Sequence, residues 1–230
     1  MLNTLKRAWY KNRLTDPAYQ FLFEEPPPDE WVSIDCETTG LDRQHDHIIS
    51  VGAVRMSGQR VLTSQRLDVM VKPDNSRLPM NANSVRIHQL RETDLDEHGL
   101  PPLEVAKQVL QFIGARPLVG YYLEFDVAML NRLVAPVIGI PLPNQQMEVS
   151  ALYYDLKFKQ NPDAHIDLRL DTLMKDLELP ERAAHNAVND ATMAALAFIK
   201  LQGLNRLCPA ILILTRRVLR LSPGLLGLLG

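Results

Sequence analysis

The sequence predicts an α/β layered domain whose sheet opens with antiparallel strands and then turns parallel. Three observations predict it. Three strand-like runs, WVSIDC, HIISVGAVRM and RVLTSQRLDVMV, follow one another between Trp31 and Val71. A helical stretch, a short apolar run and a second helical stretch come next, which is the alternation expected of a sheet covered by helices. The composition, 46% hydrophobic and 23% charged over 230 residues, allows a sizeable core in one domain with appendages at either end.

The elements take their limits from local chemistry. Residues 1–28 read as one short helix or coil ending in EEPPPDE, where three consecutive prolines favour an extended, stiff entry into the domain. Ser57 and Gly58 form a hairpin turn between the second and third strand-like runs, and Lys72-Pro73-Asp74-Asn75 ends the third. In 101–114, Pro101 and Pro102 suit a first helical turn, and Val105, Val109, Phe112 and Ile113 make one apolar face. RPLVGYY (116–122) is a short strand, and 124–139 returns to helical spacing. Further helices are expected around 147–158 and 169–178, with a long one at about 187–202. The resulting division is an N-terminal extension at 1–28, a main domain at 29–203 and an apolar, basic extension at 204–230. That last stretch carries Arg216, Arg217 and Arg220 and is broken by Pro209 and Pro223, so stable membrane insertion is not expected. It reads as an extra packed helix or loose extension, or as a docking segment for a partner or lipid surface.

Charge and cysteine usage narrow the function. Nine of the 25 basic residues lie in 1–14 and 199–230, where there is no acid, so the middle sets 16 against all 27 acids, about −11. A bulk basic footprint for nucleic acid is therefore absent, and phosphate would approach such a surface only where metal ions neutralise it. The two cysteines, Cys36 and Cys208, lie far apart and in no metal-ligand spacing. With no apolar leader in MLNTLKRAWYKNRL, a cytoplasmic setting is expected.

The chemistry concentrates in three places. Residues i and i+2 of a strand share a face, so Asp35 and Glu37 project together while Ile34 and Cys36 face the other way. Two such acids raise each other's pKa unless a cation lies between them or the strand end reaches water. Asp126, in LVGYYLEFDVAML, falls where a helix begins, a position favourable to a carboxylate whether or not it has a further role. In AAHNAVNDATMAALAFIKL, His185 and Asp190 are five residues apart, about 140° around one continuous helix, and converge more easily if His185 is on the preceding loop. Asn186 would then cap the helix, and Ala187, Ala191, Ala194 and Ala195 would let it pack closely on the sheet.

Asp35-x-Glu37 within DCETTGLD, Asp126 within EFD and His185-x4-Asp190 resemble the three motifs of the DEDDh group of 3′–5′ exonucleases. That family includes the proofreading subunit of bacterial DNA polymerase III and ribonuclease T. The resemblance runs from about Trp31 to Leu201 and implies a ribonuclease H-like mixed sheet flanked by helices. It implies two divalent ions, Mg²⁺ or Mn²⁺, held by Asp35, Glu37, Asp126 and Asp190, with His185 as general base. Thr38, Thr39, Gly40 and Leu41 resemble the family's rim around the 3′ nucleotide, and His88 in NSVRIHQLRETDL resembles a residue of its substrate groove. The expected partners are single-stranded DNA or RNA 3′ ends and, beyond them, a DNA polymerase subunit. Two departures stand out: Tyr121-Tyr122 replace the family's His-Asn ahead of the third acid, and Gln89 replaces a Gly. RNA trimming and a catalytically idle binding module are the competing functions. His45-Asp46-His47 has alternating spacing that can bind metal but sits in a polar turn, and Asp155 and Asp171 read as solvated helix charges.

Overall fold

A computed structural model describes residues 2–72, 92–180 and 186–206 of the chain. Strands β1 (Glu30–Thr38), β2 (Ile48–Ser57) and β3 (Arg60–Met70) form the antiparallel half of a five-stranded sheet. Strands β4 (Leu118–Gly120) and β5 (Gln146–Glu148) add in parallel beyond β1, giving the order β3-β2-β1-β4-β5. The sheet therefore changes from antiparallel to parallel at β1, as its sequence predicts. The hairpin turn is one residue later than expected. Ser57 pairs with Arg60, so Gly58 and Gln59 make the turn, with Gly58 at φ +56° where a side chain would be strained.

Helices α1 (Leu2–Arg13), α2 (Glu92–His98), α3 (Pro102–Ile113), α4 (Leu123–Ile138), α5 (Val149–Gln160), α6 (Leu170–Asp176) and α7 (Ala187–Arg206) complete the described chain. The sheet's two faces have separate cores. Val32, Ile34 and Cys36 of β1 pack with Val105, Val109 and Ile113 of α3 and with Leu130 and Val134 of α4. The opposite face packs Val54 and Met56 of β2 with Tyr153 of α5, Leu173 of α6 and Phe198 and Leu201 of α7. The residues ahead of β1 join the first core, since Tyr19 and Leu22 of a 3-10 segment at Pro17–Phe23 are buried in it. Arg7 of α1 donates to the carbonyls of Leu22, Glu24 and Pro143 and ties that segment down.

Helix α7 is apolar on most sides because it is covered on most sides. Ala191, Ala194, Ala195 and Ala197 are buried, and their small side chains bring its axis close to the sheet. The approach is closest at Gly52 of β2, where a Cβ would overlap the backbone of Ala187 and Val188. Gly52 pairs with Asp35, so the first turn of α7 is set down beside the first acid of β1. Among the described residues no helix is long and apolar enough to cross a membrane.

Candidate active site

Trp31, Ser33, Asp35 and Glu37 alternate with the core-facing Val32, Ile34 and Cys36 along β1, as strand geometry requires. The β1–β2 register shifts between Glu37 and Thr38, an irregularity at the point where the strand passes into the following loop. Helix α7 supplies the third acid. Asn186 accepts from the Asn189 N–H at 3.1 Å, the cap expected from the sequence, which places Asp190 in the first turn. Carboxylate oxygens of Asp35, Glu37 and Asp190 lie within 4.8 Å of one another, a grouping able to hold a metal ion.

Asp126 arrives by a different route. β4 pairs with β1 only at Val32 and Ser33 and ends at Gly120, so among the described residues the β1 backbone beyond has no strand on that side. The chain turns into α4, and the Asp126 Oδ1 accepts the Cys36 N–H at 3.1 Å. A carboxylate thus replaces a strand partner at the carboxyl end of the sheet, where open α/β sheets commonly bind ligands. Asp126 is buried, whereas Asp35, Glu37 and Asp190 are half-buried.

The electrostatics of this group are unfavourable without a cation. Burial pushes the Asp35 carboxyl up, and Asp126, Asp190 and Glu37 push it further. Glu37 is raised to about 7 by burial and then by Asp190. Asp126 is raised by burial, against the opposing Cys36 N–H, and by Glu148 and Glu37. Oxygen donors of this kind suit a hard divalent ion, whose charge would reverse the local balance. The Cys36 thiol is buried, and its protonated form is favoured by burial and by the acids around it.

The loop after β1 treats its predicted rim residues differently. The Thr38 hydroxyl donates to Gly40 O at 2.7 Å, and the Thr39 hydroxyl donates to Asp46 Oδ1 at 2.7 Å and accepts from His47 N. Both hydroxyls are thus engaged in shaping the loop. Asp46 also accepts from Asp42 N, and a Cβ at Gly40 would collide with its carboxylate. Asp46 thus clasps its own loop, and the His45 ring pairs with Asp42 at 2.8 Å. Leu41 stands out at 82% exposure. His185 and His88 lie outside the described residues.

Glu148 is a site residue that sequence reasoning missed. Its carboxylate accepts from Tyr122 N, Leu123 N, Ser150 N and Ser150 Oγ, holding the starts of α4 and α5 together. An acid immediately before a Val-Ser helix start carried the signal, as an N-cap. The two tyrosines at the family's His-Asn position also diverge. Tyr121 packs inward and donates to Leu168 O, while Tyr122 is exposed.

A family model for exonucleases, of ribonuclease T type, matches residues 32–198, which span all four acids. The chain belongs to this exonuclease family. Among relatives, a PolC-type DNA polymerase III of Caldanaerobacter subterraneus subsp. tengcongensis is 30% identical over 176 residues, 75% of this chain but 11% of that protein. The chain therefore spans only a small part of the PolC-type relatives it matches. The DNA polymerase III subunit epsilon of Rickettsia felis is 27% identical over 175 residues, 75% of this chain and 73% of that protein. Among solved structures, E. coli exonuclease I in complex with a dA16 oligonucleotide superposes with a TM-score of 0.64 at 18% identity. That match covers 79% of this chain and 42% of the other and supports the exonuclease fold described above.

Proposed function

We propose that the chain is a metal-dependent 3′–5′ exonuclease that removes nucleoside 5′-monophosphates from the 3′ ends of single-stranded DNA. The observation that carries this reading is the convergence of Asp35, Glu37 and Asp190 within 4.8 Å, with Asp126 bonded to the intervening Cys36 amide. The names of the polymerase III relatives favour DNA over RNA, and a proofreading or repair-like role beside a polymerase, in the cytoplasm, is part of the same reading. Residues 29–203 would be the catalytic unit.

Asp35, Glu37, Asp126 and Asp190 would hold two Mg²⁺ or Mn²⁺ ions. When bound, these ions supply charge neutralisation at the scissile phosphate and lower the pKa of water. Asp35 would be shared between the two ions, with Glu37 and Asp190 serving one and Asp126 mainly the other. His185 would take the proton from the attacking water, a task suited to imidazole near neutral pH. In sequence it immediately precedes Asn186, which caps α7. Leu41, exposed beyond Thr38, Thr39 and Gly40, would press against the terminal base, and His88 would line the groove.

The test is digestion of end-labelled DNA and RNA oligonucleotides, side by side, in Mg²⁺, Mn²⁺ and EDTA. Shortening of DNA one nucleotide at a time from the 3′ end, abolished by EDTA, is expected. RNA as the faster substrate would replace the DNA assignment, and no shortening of either would leave an idle binding module. His185→Ala should slow turnover by about 10²–10⁴-fold while leaving metal affinity, read by calorimetry, nearly unchanged.

A further inference from the structure

Tyr122 is the residue whose conformation local preference explains least. It sits at the start of α4, one turn ahead of Asp126, in the left-handed region at φ 57° and ψ 33°. A bulky residue rarely adopts that conformation, because its Cβ crowds the following carbonyl. It is also 53% exposed, so burial of its ring does not offset the strain. Such outliers persist where the surroundings enforce them, and they cluster at ligand sites.

The surroundings enforce this one from two sides. On one side the Glu148 carboxylate accepts both Tyr122 N, at 3.1 Å, and Leu123 N, at 2.7 Å. On the other, Arg43 pairs with Glu124 at 2.9 Å, and its guanidinium interacts with the Tyr122 side chain as well. Arg132 of α4 donates to the carbonyls of Arg43 and Asp46 and fastens the loop that carries Leu41 to the same helix. The ring lies nearly parallel to Phe125, 11° between planes and 6.1 Å between centroids. Phe125 supports it from beneath, and the exposure of Tyr122 leaves ring surface open to solvent.

We propose that Tyr122 is a stacking platform for a nucleobase at the 3′ end of the bound strand, held in place by Glu148, Arg43 and Phe125. This rests on the reading of the acid cluster as a nucleotide-processing site. Flat π surfaces stack on all four bases with little sequence preference, so the platform grips a strand without reading it. It also supplies affinity where the acidic middle of the chain offers little positive charge to hold phosphates.

The experiment uses the full chain in EDTA, so that binding is read without turnover. One probe is a single-stranded DNA oligonucleotide with 2-aminopurine at its 3′ terminus, whose fluorescence falls on stacking. A second carries a tetrahydrofuran abasic residue there and a 5′ dye for anisotropy. Tyr122→Asn removes the ring yet accepts the left-handed backbone, and Tyr122→Ala is the second variant. Both should lose the quench and bind the base-bearing strand roughly tenfold more weakly, with no change for the abasic strand. Tyr122→Phe should retain the quench. Equal weakening for both strands, or wild-type quenching in Tyr122→Asn, overturns the platform. A Tyr122-dependent quench in a protein that cuts nothing in Mg²⁺ or Mn²⁺ supports the platform and removes the exonuclease reading. Cutting in a protein whose quench ignores Tyr122 does the reverse.

Discussion

Two ends of one strand face meet the same helix and do opposite things. At one end of β1, Trp31 packs edge-on against Phe198 of α7, ring centroids 5.5 Å apart, with Phe198 fully buried. At the other, Asp35 and Glu37 meet Asp190 of that helix in a group of like charges. The first contact stabilises the packing of helix on sheet, and the second opposes it. The apolar end supplies the stability that lets the acidic end remain assembled, in the way strained functional sites are commonly supported by the rest of a fold.

Separating the two ends is the sharpest way to test this division. Asp35→Asn should reduce the exonuclease rate by about 10⁴-fold, since it removes the ligand shared by both proposed ions. The same variant should raise the melting temperature of metal-free protein, because one of the crowded, half-buried acids is gone; a lower one would mean the acids are not in conflict. Phe198→Ala is the converse, costing about 3–5 kcal/mol of stability by denaturant titration. At temperatures where the variant stays folded, metal affinity should persist. Gly52→Ala falls between the ends. Its Cβ meets the backbone of Ala187 and Val188, so about 1–3 kcal/mol should be lost together with metal affinity, as Asp190 is displaced from Asp35.

The smallest effect is on pH. The folded state holds the Glu37 proton up to about 7, against an ordinary value of 4.5. Between those values the native protein binds more protons than the unfolded chain, so metal-free stability falls as pH rises through this window. Thermal melts from pH 4.5 to 7.5 should show that decline in EDTA, and millimolar Mg²⁺ should flatten it by occupying the site in place of protons. A flat profile without metal would dissolve the contrast between the two ends.

Much of this was legible in the chain because it depends on short-range rules. The i, i+2 alternation of β1 separates Asp35 and Glu37 from Ile34 and Cys36, and Asn186 caps α7 as its position implies. The alanines of α7 foretell its close seat, although the partner that permits it, Gly52, is 135 residues away and carries no local sign. Side-chain pairing beyond the nearest neighbours also hid the functions of Asp46 and Glu148. One clasps its own loop and the other links two helix starts, yet in sequence both are single acids beside a turn. The packing of the 3-10 segment was equally hidden, since three prolines between it and β1 suggest separation while Tyr19 and Leu22 reach the core.

The bond from the Cys36 amide to Asp126 bears on how an inactive form of this protein should be made. A substrate-trapping variant must bind as the native protein does and differ only in chemistry. Replacing Asp126 with Ala would leave a buried backbone donor at the end of β1 without its acceptor, and an inactive product would not distinguish a missing ligand from a shifted strand. Glu37 accepts none of the hydrogen bonds seen among the described side chains, so Glu37→Gln is the cleaner trap for capturing whatever strand this protein holds.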